Sequence, residues 1–130
     1  MNTDATENVG RAAVRDQLVG IRVEHATGAA VVHVAGELDL VTTPALRDAI
    51  ADALSSPPPL VVLDLTDVDF LASAGLSELI AAGERAQGRT TLRIVAANRS
   101  TLRPLSMTGL DSMLAVFPTV DEALAAPVAG

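Results

Sequence analysis

The order of patterns along this chain predicts an α/β domain: one mixed sheet of about five strands, with an opening hairpin, later strands parallel, and four helices. Three observations carry that reading. Two alternating or apolar segments flank a Thr27-Gly28 turn signal. Further apolar stretches then alternate with helical periodicities, as parallel strands joined by helical crossovers require. Residues 60–65 are apolar except for Asp64, a near-continuous run that marks a strand buried on both faces of a sheet.

Taken in order, residues 1–16 read as a flexible tail of short and charged side chains. Residues 18–25 alternate, with Val19, Ile21 and Val23 on one face and Arg22 and Glu24 on the other. Residues 30–35 form the second strand, after which Gly36-Glu37-Leu38-Asp39 leaves the sheet. Thr43-Pro44 reads as an N-cap followed by Pro at N1. Behind it Leu46, Ala49, Ile50, Ala53 and Leu54 mark the apolar face of a helix that ends at Ser55-Ser56-Pro57-Pro58-Pro59. The buried strand follows and leads into an acidic loop, residues 64–73. Ser73 stands at or beside the N-cap of a helix with Leu76, Leu79, Ile80 and Gly83 inward and Ser77, Glu78, Glu84 and Arg85 outward. Residues 91–96 are a strand, and 100–108 a helix that tolerates Pro104 in its first turn and ends at Gly109. Residues 114–117 are a short strand. Thr119-Val120-Asp121-Glu122 opens the last helix as a capping box, and residues 127–130 fray.

With 130 residues the chain is long enough for one domain, placed at residues 17–126. Aromatics are 2% of the sequence, without Trp or Tyr, so stacking on bases is disfavoured. A net charge of −7 argues against direct nucleic-acid binding and favours a basic partner surface. The absence of cysteine excludes disulfides, thiolate nucleophiles and Cys-based metal sites. No signal peptide and no membrane-length apolar run is present, so the expected location is the cytoplasm.

Chemistry is expected in the loops beyond the carboxyl ends of the parallel strands. Ser73 lacks a nucleophile elbow, and the two histidines, His25 and His33, both lie in the opening hairpin, so a hydrolase triad is not met. As a phosphoacceptor Ser73 is better placed: Ala72, Ala74 and Gly75 are small, and a helix N-terminus tolerates a phosphate. Asp64, Asp67 and Asp69 read as a solvated acidic loop. A phosphoaspartyl receiver would need a lysine, and a P-loop would need Gly-Lys-Ser/Thr, yet the chain has no lysine at all. His33 reads as a strand residue, and no metal site is expected.

Two segments together carry a family resemblance. One is Gly36-Glu37-Leu38-Asp39 after a strand. The other is Val62-Leu63-Asp64-Leu65 followed by Val68-Asp69-Phe70-Leu71-Ala72-Ser73-Ala74-Gly75-Leu76. They resemble the signature segments of STAS domains, and more closely those of stand-alone bacterial anti-sigma factor antagonists, over about residues 18–124. The resemblance implies a single STAS-like domain and a regulator without catalytic activity or cofactor, working as a monomer or weak dimer. Unphosphorylated, such a protein binds an anti-sigma factor of the Ser/Thr kinase type and frees a sigma factor. The kinase phosphorylates the Ser of the second segment, here Ser73, and a PP2C-like phosphatase reverses it. Docking would use Glu37, Asp39 and Asp69, with Ala72, Ala74 and Gly75 at the helix start. The familiar pattern has Asp before the phosphorylated Ser, where this chain has Ala72. That departure keeps a second expectation beside the first: a STAS-like sensor or scaffold that binds a nucleotide or anion near Ser73 without a phospho-switch.

Overall fold

The computed structural model of the chain describes residues 19–128; the expected tail, residues 1–16, and the last two residues lie outside them. The elements run β1 (Val19–Ala26), β2 (Ala29–Leu38), α1 (Thr43–Ser55), β3 (Leu60–Leu71), α2 (Ser73–Ala86), β4 (Thr91–Val95), α3 (Arg99–Met107), α4 (Leu110–Met113), β5 (Ala115–Phe117) and α5 (Val120–Ala125). One sheet has its strands in chain order. The β1–β2 pair is antiparallel and every later pair is parallel.

Because each crossover moves to the next strand along, helices α1 to α4 gather on one face. There Leu46, Ile50, Leu79, Leu105 and Leu110 pack on Val32, Val34, Val61, Leu63 and Leu65. The opposite face carries a smaller cluster, Ala29, Val31, Leu60, Val62 and Val95, covered by Ala123 of α5. Arg93 on β4 fastens that covering helix. Its guanidinium donates to the carbonyls of Ala123 (2.7 Å), Ala126 (2.7 Å) and Pro127 (2.6 Å) and lies over the Phe117 ring. Pro127 is therefore held where fraying was expected.

Five helices are described where four were expected. The added one is a single turn: Gly109 closes α3, and the buried Leu110 opens α4, whose carbonyl accepts from the Leu114 amide at 3.0 Å. Helix α3 begins one residue early because Asn98 caps it, accepting from the Thr101 amide, so Pro104 falls beyond the first turn. In α1 the N-cap is Thr42 and Pro44 sits at N2. Glu78, expected to point outward, is buried between α1 and α2. It accepts from Arg47 Nε at 3.1 Å and Arg85 at 2.7 Å, so two guanidiniums offset its desolvation.

Two corrections fall on the expected loops. Gly36-Glu37-Leu38 does not leave the sheet but completes β2, and the acidic loop is the second half of β3. Ten residues of β2 pair with twelve of β3, with register shifts between His33 and Ala35 and between Gly36 and Glu37. At each shift β3 carries one extra residue. Its core-facing side chains are Val61, Leu63 and Leu65, then Val68 and Leu71: the spacing lengthens from two to three where the bulges fall. Gly36 stands at the second shift with φ of 103°, a backbone setting that side-chain-bearing residues avoid.

Candidate functional site

Beyond Asp64 β3 has no strand partner on its β4 side, since that pairing ends at Asp64 and Val95. Asn98 replaces it. Besides capping α3, its side-chain amide donates to the carbonyls of Thr66 (3.1 Å) and Val68 (3.3 Å). One side chain thus holds both the start of α3 and the bulged stretch. Nothing in the sequence reading singled Asn98 out beyond its place after a strand.

On the other side the register brings Glu37 opposite Phe70 and Leu38 opposite Leu71. The Ala72 amide donates to the Leu38 carbonyl at 2.9 Å, and the Leu76 amide then closes the first turn of α2 onto the Ala72 carbonyl. Gly75 is buried in that first turn. A Cβ there would lie 2.8 Å from Leu71 Cδ1 and 3.0 Å from Leu38 Cβ. The two signature segments, far apart in sequence, are therefore one structural unit, and Gly75 is what lets the helix approach the strand so closely. Its place is inside the unit, with Ala72 and Ala74 half-buried around it.

Ser73 is exposed at N1 of α2, not at the N-cap, which is Ala72. No side-chain cap closes this helix, so the first-turn amides keep their partial positive charge beside the Ser73 hydroxyl. Glu37 and Asp69 are also exposed, Asp69 at the second bulge. Asp39 is committed to the loop instead. Its carboxylate accepts from the amides of Val41 (3.0 Å) and Thr42 (3.1 Å), and the backbone donation from Thr42 first of all holds its pKa below the ordinary value. The buried Thr42 and Thr43 hydroxyls donate in turn to the carbonyls of Glu37 and Asp39, each at 2.6 Å.

That knot holds out a surface the sequence reading did not name. Leu40 and Val41, on the loop it braces, are 81% and 61% exposed, and Phe70, opposite Glu37 at the same end of the sheet, is 52% exposed. The signal in the sequence was the pair Leu40-Val41 directly behind a turn-forming Asp39.

Asp64 is not part of this site. It is buried on the opposite face of the sheet, where its Oδ2 lies 2.7 Å from His33 Nδ1, and the other ring nitrogen lies 2.8 Å from Glu24 Oε1. Burial pushes the Asp64 carboxyl up, but the Thr66 hydroxyl and amide and the His33 ring together bring it below its ordinary value. His33 is a strand residue. Among the described residues no group of three or more acidic, His or Cys side chains gathers as metal ligands. Among them, too, no helix is long and apolar enough to cross a membrane.

Residues 20–123 match the family model described as STAS domain, and the chain belongs to that family. It is similar to the anti-sigma-F factor antagonist RsfB of Mycobacterium tuberculosis, with 36% identity over 82% of this chain and 87% of that protein. Among solved structures it resembles an anti-sigma factor antagonist from Mycobacterium paratuberculosis, with 42% identity, a TM-score of 0.79, and coverage of 82% of this chain and 91% of that one. The Bacillus cell fate determinant SpoIIAA, solved in its phosphorylated form, shares the fold at a TM-score of 0.63 and 16% identity, over 81% and 96% of the two chains.

Proposed function

We propose that this chain is an anti-sigma factor antagonist: it binds an anti-sigma factor of the Ser/Thr kinase type, frees a sigma factor, and is switched off by phosphorylation of Ser73. The observation that carries the switch is the position of Ser73, exposed at the first turn of α2 and set at the same sheet end as Glu37, Leu40, Val41 and Phe70. The names of the relatives support the antagonist role.

In this reading Leu40, Val41 and Phe70 supply apolar contact area, and Glu37 and Asp69 supply charge for a basic partner surface. Phosphate adds roughly −1.5 to −2 charges at Ser73. Next to a carboxylate of the complex at about 8 Å, and with an effective dielectric near 20, repulsion reaches about 4 kcal/mol before screening. Burying the dianion against the apolar rim adds a desolvation cost. Half of that repulsion alone weakens binding more than about tenfold. The amides of α2 spare the fold itself, so the switch acts on the interface and not on folding. Ala72 removes a carboxylate from the acceptor's side and leaves the dianion as the principal charge change. A PP2C-like phosphatase would reset the switch.

The test is binding of the anti-sigma factor from the same genome to the wild-type chain, Ser73→Ala and Ser73→Glu, with the intact mass of the chain after incubation with that partner and ATP. The expected result is one added phosphate, absent in Ser73→Ala, with Ser73→Ala binding like wild type and Ser73→Glu at least about tenfold weaker. Equal binding by all three would sink the switch.

A further inference from the structure

Next to this site lies a groove between the free side of β3 and helix α3. It exists because β4 stops at Val95 while β3 runs on, so the last residues of β3 face a helix in place of a strand. Its walls are mostly apolar: Phe70 and Leu71 from β3, Leu76 from α2, Pro104 and Met107 from α3. Phe70 and Met107 are 52% and 74% exposed. The sequence holds two phenylalanines and no Trp or Tyr. Phe117 lies under Arg93, and Phe70, put out of alternation by the bulge at Asp69, is given to this groove.

The charge on the rim is opposite to that of the protein. The chain carries −7 overall, yet Arg99 and Arg103 line the groove against a single carboxylate, Asp69. The other arginines of the described residues are occupied. Arg22 pairs with Glu24, Arg47 and Arg85 with Glu78, Arg89 donates to the Leu54 carbonyl, and Arg93 holds the α5 end. Among the described residues Arg99 and Arg103 make no ion pair and no side-chain hydrogen bond. Four residues apart on α3, they are neighbours on one helical face, roughly 6 Å apart at Cβ.

We infer that this groove takes an acidic amphipathic segment of the anti-sigma partner. One apolar side chain of that segment seats against Phe70 and Met107, and two carboxylates, at the spacing of Asp or Glu at i and i+4 of a helix, reach Arg99 and Arg103. The inference rests on the antagonist reading and deepens it. The partner meets the acidic Glu37 and Asp69 with basic groups and the α3 groove with acidic ones, so the two patches fix its orientation. Opposed charges set register and speed encounter, while the buried aromatic supplies affinity.

The experiment measures binding of the same-genome anti-sigma factor to the wild-type chain, Arg99→Glu/Arg103→Glu and Phe70→Ala, at low and high salt. Sedimentation of each chain alone and its thermal unfolding accompany this. The expected result is a loss of about tenfold or more for the charge-reversed chain, shrinking at high salt, and about tenfold for Phe70→Ala, with both variants still fully folded at the temperature of the binding measurement. Wild-type binding that both variants retain overturns the groove and leaves the antagonist reading standing. A dimer of the chain alone that the charge reversal dissolves overturns it in favour of a second copy as occupant. No binding by the wild-type chain overturns the reading and the groove together.

Discussion

Residues 60–64 of β3 have a strand on either side, and the chain is buried throughout residues 60–65, whereas residues 66–71 keep β2 on one side only and leave Thr66, Asp67, Asp69 and Phe70 exposed. The first half uses strict alternation to feed two cores at once, Leu60 and Val62 into one and Val61, Leu63 and Leu65 into the other. The second half has two extra residues, and only Val68 and Leu71 still reach the core. Each bulge turns side chains outward at the cost of a ladder position. The same strand therefore anchors the sheet at one end and presents Asp69, Phe70 and the start of α2 at the other.

The sharpest way to break this comparison is one truncation in each half. Leu63→Ala empties a fully buried site and should lower unfolding free energy by about 3 kcal/mol, within a range of roughly 2–5. Phe70→Ala should lower it by less than about 1 kcal/mol, since half of the ring is already in water. Urea denaturation of the two variants decides, and equal losses would mean that the far half of β3 is structural as well.

Gly75→Ala sharpens the seam between the segments. The new Cβ would meet Leu71 and Leu38 at 2.8 and 3.0 Å, so the start of α2 must shift away from β2, with a stability loss of about 1–3 kcal/mol. A substitution neutral for folding that still abolished partner binding would instead make Gly75 a direct contact.

The smallest effect expected is a pH dependence on the opposite face of the sheet. Because the folded pKa of Asp64 lies below the unfolded value, the folded state holds fewer protons there. The resulting stability is fully present above about pH 4 and is lost as pH falls through the folded pKa. The urea midpoint should therefore drop less between pH 7 and pH 3 in Asp64→Asn than in wild type. An identical drop would show that the carboxylate is not linked to folding.

Much of the fold was legible because its elements are set by local patterns. The hairpin turn at Thr27-Gly28, the apolar run 60–65, the helical faces of α1 and α2 and the stop at Gly109 each express a period or a backbone preference that needs no distant partner. Ser73 was legible for the same reason, as a hydroxyl at a helix start behind a strand. The bulged half of β3 was misread as a loop because its core-facing residues are three apart. That spacing becomes a strand only when β2 supplies the hydrogen bonds and Asn98 satisfies the free carbonyls. Glu78 looked like a surface residue because burial of a carboxylate depends on Arg47 and Arg85, one of them on another helix.

The sequence by itself determined the α/β class, the succession of strands and helices along the chain, and a serine at the head of a helix, since each follows from residues adjacent in the chain. Tertiary structure alone decided that Leu38 would bind the amide of Ala72, that Gly75 would be packing, and that Leu40, Val41 and Phe70 would share one end of the sheet. It also decided that Arg99 and Arg103 would stand beside a groove without a carboxylate partner among the described residues. Those facts depend on pairing across 30 residues and more, where the geometry of the sheet, and no local preference, chooses which side chains meet and which are left in solvent.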